Sequence, residues 1–126
     1  MTQYVWSKID LRFIADRRYE NPYTELEIWV DLEGPGFSKR VYGFWDGDQD
    51  FVIRILATTP GRWRWSSGSS PVDAGLAGKS GQFEAVQWSA SELEANPNRR
   101  GMIRASRDGR GLEYTDGTPY FLIGDT

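Results

Sequence analysis

The chain has 126 residues, 26% of them charged, and its 15 Lys and Arg against 18 Asp and Glu leave a net charge of -3. That length suits one domain with a self-sufficient core, and the absence of cysteine and histidine excludes disulfides, thiolate or imidazole metal sites and imidazole acid–base chemistry. The acidic balance argues against nucleic acid as a partner, and residues 1–13 alternate without a long apolar stretch, so neither a secretory signal nor a membrane span is read there.

Aromatic residues at 14% and 14 glycines point to a sheet protein with tight turns. Ile9, Leu11, Phe13 and Ala15 alternate with Asp10, Arg12, Ile14 and Asp16, a period of two that predicts a half-buried strand. In residues 25–33, Leu26, Ile28, Val30 and Leu32 share one face while Glu25, Glu27, Asp31 and Glu33 share the other, and Trp29 stands among the charges. Gly34-Pro35-Gly36 breaks the pattern, and residues 40–45 read as one extended run ended by the hairpin dipeptide Asp46-Gly47.

Residues 51–57 predict a further strand with Phe51, Ile53 and Ile55 on one face, and residues 62–66 another, with Trp63 and Trp65 directed to the core. Residues 66–81, rich in Ser, Gly and Ala, read as a mobile surface loop. Residues 83–88 give one more strand, and Ser89 with Glu92 forms a capping box for a single helical turn halted by Pro97. About seven short strands with turn signals between them predict an all-β antiparallel sandwich over residues 1–98.

From residue 99 the composition changes. Arg99, Arg100, Arg104, Arg107 and Arg110 alternate with Gly101, Gly109 and Gly111, which reads as a solvated linker, with an anionic partner as the alternative. Residues 112–115, the turn at Asp116-Gly117 and the apolar run from Tyr120 to Ile123 predict a C-terminal β-hairpin leading into a second unit. Its last strand is expected to find cover on an edge of the sandwich or on a second copy of the chain, a dimer through the C-terminal strand.

Two groups of residues are candidates for chemistry. Asp46, Asp48 and Asp50 alternate as calcium ligands do, but a calcium loop wants Gly at its sixth position and Glu at its twelfth where this chain has Phe51 and Ala57. They read as an acidic turn, and no metal or cofactor is expected. Trp29, beside Tyr42 or Trp45, is the candidate platform for stacking on a sugar ring, and the competing reading of these rings is packing in the core or against another domain.

Asn21-Pro22-Tyr23, Gly43-Phe44-Trp45-Asp46-Gly47, Arg54 in an apolar strand and the run from Pro60 to Trp65 together resemble the immunoglobulin-like N-terminal module called DUF5060. Asn96-Pro97, Arg100-Gly101, Asp108-Gly109, Tyr114, the stretch from Asp116 to Phe121 and Gly124-Asp125-Thr126 resemble the entry hairpin and first strand of the (β/α)8 barrel of DUF4038 type that follows it, related to apiosidase-like glycoside hydrolases. The resemblance implies an immunoglobulin-like sandwich over residues 1–98 and the start of a barrel over residues 99–126. It implies a bacterial protein, extracellular or periplasmic, whose catalytic barrel in the same polypeptide is the partner of this module. Asp125 would lie on the rim of the barrel's active site, the face where such sites are built, and the two catalytic carboxylates would lie on later strands, leaving this chain without a catalytic residue. Three readings stay open: a non-catalytic module that packs on and supports the barrel, an autonomous carbohydrate-binding module with polysaccharide as partner, and an adhesion module that binds protein.

Overall fold

The computed structural model describes residues 2–124. The alternation read in the sequence builds the larger sheet. Its centre is β3 (Glu27–Gly34), which buries Ile28, Val30 and Leu32 and turns Glu27, Trp29, Asp31 and Glu33 outward. With β1 (Thr2–Tyr4), β4 (Phe37–Tyr42), β7 (Gly61–Ser70) and β8 (Ser80–Val86) it forms a five-stranded sheet ordered β1-β8-β7-β3-β4. The smaller sheet joins β2 (Ile9–Ile14), β5 (Phe44–Trp45) and β6 (Asp50–Ile55) in the order β2-β6-β5.

Second, sixth and fifth strands thus face eighth, seventh, third and fourth, the strand grouping of an immunoglobulin sandwich. Eight strands form it, the short β1 being additional to the periodic segments of the sequence. Every pair is antiparallel except β1 with β8, which run parallel from Thr2 opposite Glu84 to Tyr4 opposite Val86. Between the sheets lie Val5, Phe13, Ile28, Val30, Leu32, Ile53, Trp63 and Phe83. Trp63 is fully buried and donates its indole N–H to the Thr59 carbonyl at 2.9 Å, which gives the polar end of the ring a partner inside the apolar layer. Trp65 is only partly buried at the margin of the core, edge-on to Phe13 with ring centres 5.9 Å apart.

Two segments depart from the sequence reading. Residues 40–45 are not one strand: the chain leaves the larger sheet after Tyr42 and enters the smaller one at Phe44. The step is made at Gly43, where a Cβ would lie 2.6 Å from both Ile53 Cγ1 and the Val52 carbonyl oxygen, so only glycine lets the backbones approach this closely.

Residues 66–81 are not one loop either. Ser66 to Ser70 continue β7 opposite β3, in register from Asp31 to Glu27, and β8 begins at Ser80. Local composition lost here to the ladder offered by β3, because small side chains make room for their neighbours: Gly68 sits under the Trp29 indole, and the Ser67 and Ser69 hydroxyls bond the backbone of the connection that follows.

After the sandwich, α1 (Ala90–Ala95) starts with the predicted capping box, the Ser89 hydroxyl accepting from Glu92 N–H and the Glu92 carboxylate from Ser89 N–H. A 3-10 turn (Pro97–Arg100) leads into a third sheet of β9 (Ile103–Ala105), β10 (Leu112–Tyr114) and β11 (Pro119–Tyr120), ordered β11-β10-β9. This small sheet contains the expected hairpin, whose turn places Gly117 at φ 89°. The apolar run does not pair with the sandwich. Tyr120 lies opposite Leu112, the first residue of β10, so the strand has no partner beyond it, and Phe121, Leu122 and Ile123 are exposed.

Candidate functional site

The switch at Gly43 assembles a groove. Tyr42 ends one sheet, Phe44 and Trp45 begin the edge of the other, and the turn after Asn21 brings Tyr23 across from them; together with Glu27 and Pro22 they line a groove of about 430 Å³ floored by Leu26, Ile28 and Phe51. That volume falls in the range of small-ligand sites, as does the mix of aromatic walls and few polar groups. Tyr23 is 80% exposed, Tyr42 58% and Trp45 40%.

The rings are held in place. Trp45 donates its indole N–H to the Asp48 carbonyl at 3.0 Å, across a turn in which Asp48 takes φ 47°. The Arg54 guanidinium lies 5.8 Å from the centre of the Phe44 ring and is itself tied to Asp10 at 2.8 Å. Tyr42 meets Trp29 edge-on at 6.3 Å. The Tyr23 backbone N–H donates to the Asn21 side chain at 3.2 Å, and Asn21 O accepts from Thr24 N and Glu25 N, an Asx-type turn that fixes where the ring starts.

Of the residues singled out in the sequence, Tyr42 and Trp45 share this groove. Trp29 stands behind Tyr42 on the outer face of the larger sheet, as its place among charged residues implied. Its own ring is occupied: the Arg40 guanidinium lies 4.5 Å from the ring centre and Gly68 packs against the indole edge. Arg40 in turn makes a two-pronged contact with Asp31 at 2.8 and 3.1 Å, which holds the Asp31 carboxyl below its ordinary pKa. Asp125 lies outside the described residues. Tyr23 and Phe44 were not singled out, since neither falls on the alternating strand whose charged face drew attention to Trp29. The available signal was their place after a turn dipeptide, Asn21-Pro22 before Tyr23, and after a glycine, Gly43 before Phe44.

Other depressions carry charge, and two of them show how it is paired. One, about 470 Å³, lies on the outer face of the larger sheet between Asp31, Glu33, Arg64, Trp65 and Gln82, where the carboxylates are paired, Asp31 with Arg40 and Glu33 with Arg64. The second, about 360 Å³, lies between Leu93, Arg100, Tyr114, Tyr120 and Phe121 at the far end of the chain. Asp116, which bonds the Arg100 of this lining, is pushed up by burial but pulled further down by the Thr118 N–H and Arg100, the latter at 2.9 Å, so its net shift is downward. Asp10, Asp31, Asp73, Glu92, Asp108 and Asp116 all shift downward, each toward the charged form through its donors.

Residues 2–70 match a protein family described as a domain of unknown function, DUF5060. No curated protein matches the chain. The fold is similar to that of a crystal structure described as a "putative glycoside hydrolase" from Bacteroides vulgatus ATCC 8482, with a TM-score of 0.76 at 22% identity. The match covers 95% of this chain and 21% of that one, so this chain spans about a fifth of the length of the solved structure.

Proposed function

The chain belongs to the DUF5060 family, and from that premise we propose that it is a non-catalytic β-sandwich module of a glycoside hydrolase, packing on and supporting a catalytic barrel of the DUF4038 type. The observation that carries this reading is the apolar end of the molecule. Phe121 and Ile123 are 84% and 81% exposed and Leu122 between them is also open to solvent, and an exposed apolar run of this kind marks a place where a partner sits. Support also comes from the similar fold forming 21% of a much longer chain described as a glycoside hydrolase.

The segment that leads from the sandwich toward that end is anchored. Trp88 stacks on Tyr4 at 3.8 Å, donates its indole N–H to the Val5 carbonyl at 2.8 Å and receives the Arg99 guanidinium 4.1 Å from its ring centre. Arg99 also donates to the Glu92 carbonyl at 2.9 Å. The chain therefore leaves the sandwich through an anchored turn rather than a loose tether.

Hydrolysis of 4-nitrophenyl glycosides and of plant and bacterial polysaccharides tests the division of labour. The full-length protein should release sugar and this chain alone should not. Hydrolysis by the isolated chain, or none by the full-length protein, would contradict the proposal.

A further inference from the structure

The groove at the sheet switch lies on the sandwich, whereas the apolar surface assigned to the barrel is formed by residues 121–123, and the two sites share no lining residue. We infer that the groove formed by Tyr23, Tyr42, Phe44 and Trp45 is a binding site for a neutral saccharide chain, with Glu27 and the Tyr23 hydroxyl as its hydrogen-bonding groups.

The aromatic walls fit the apolar C–H faces of sugar rings, which stack on flat aromatic surfaces. Three of the four rings are already braced, Trp45 by Asp48, Phe44 by Arg54 and Tyr42 by Trp29, so little side-chain freedom is lost when a ligand arrives. Glu27 is exposed, and neither its carboxylate nor the Tyr23 hydroxyl has a hydrogen-bond partner among the described residues. Both are free to exchange hydrogen bonds with sugar hydroxyls. Glu27 is also the single charged residue lining the groove, and its negative charge disfavours an acidic saccharide. In this arrangement Trp29 is a positioning residue that acts through Tyr42, while Tyr42 and Trp45 touch the ligand.

The choice of saccharide over a proline-rich peptide, which also docks in aromatic grooves, rests on the reading of the chain as a module of a glycoside hydrolase. The two readings fail separately, because one is judged by hydrolysis in the full-length protein and the other by binding to this chain.

The test is a titration of the chain with cellohexaose, xylohexaose, laminarihexaose, trigalacturonate and decaproline, followed by tryptophan fluorescence and calorimetry. At least one neutral hexasaccharide should bind saturably. Tyr23→Ala and Tyr42→Ala, substitutions of exposed rings whose folding is checked by thermal unfolding, should each weaken it roughly tenfold. Phe121→Ala should leave binding unchanged. The inference is overturned if no neutral hexasaccharide saturates, if the tyrosine variants bind as the parent does, or if trigalacturonate or decaproline binds more tightly than every neutral sugar.

Discussion

Asp73 is 3% exposed and closes the bottom of the connection between β7 and β8. Its carboxylate accepts from Asp16 N–H at 2.8 Å, the Tyr19 hydroxyl at 2.8 Å and Gly75 N–H at 2.9 Å, while its own N–H donates to the Ser69 hydroxyl. Burial pushes its pKa up, but these donors outweigh burial and hold it below the ordinary aspartate range. A depressed folded pKa means that the carboxylate contributes stability above the unfolded value of about 3.9 and loses it as pH falls through the lower folded value. Asp73→Asn, which removes the charge, should lower unfolding free energy near pH 7 by roughly 2 kcal/mol. In urea titrations across pH, the gap between variant and parent should narrow on acidification below pH ~4. A gap that stays constant or widens toward acid would contradict this role. Nothing in the sequence announces Asp73: it is one acidic residue in a stretch rich in small residues, and its partners at positions 16 and 19 are distant in the chain.

Among the elements, β3 was legible and β7 only in part. β3 alternates strictly between a buried and a solvated face, so its side chains alone report the register. The second half of β7 carries serines and a glycine that match no strand pattern, and its identity came from the ladder with β3. The strand break at Gly43 was hidden for a related reason, since Tyr42, Gly43 and Phe44 look continuous until the closeness of Ile53 and Val52 is known. The groove was therefore legible only as a collection of aromatics. Glycines in the β3–β4 hairpin offer a test of the packing. A Cβ at Gly34 would lie 2.3 to 2.5 Å from ring atoms of the buried Trp63, whereas one at Gly36 would meet open space at φ 67°. Gly34→Ala should cost about 2 kcal/mol or more through overpacking, and Gly36→Ala about 1 kcal/mol through backbone strain alone. Equal losses in chemical denaturation would show that the ring is not confined there.

At the scale of the whole molecule, two surfaces of different chemistry emerge: an aromatic groove at the sheet switch, with braced rings and free hydrogen-bonding groups, and an apolar end beyond β11. The immunoglobulin-like sandwich was readable because its alternating strands and turns are local. The third sheet was readable as a hairpin because of the Asp116-Gly117 turn, but not the end of its last strand, because strand length is set by the partner and β10 begins opposite Tyr120. The same strand ending leaves Phe121, Leu122 and Ile123 uncovered, and they are the surface on which a catalytic barrel is proposed to sit. Hydrogen exchange followed by mass spectrometry, on the full-length protein and on this chain alone, probes that contact directly. Amides of residues 121–124 should exchange slowly in the full-length protein and quickly in the isolated chain, with β3 and β6 equally protected in both. Equal, rapid exchange of residues 121–124 in the two samples would show that no domain rests on this surface and would contradict the proposed role.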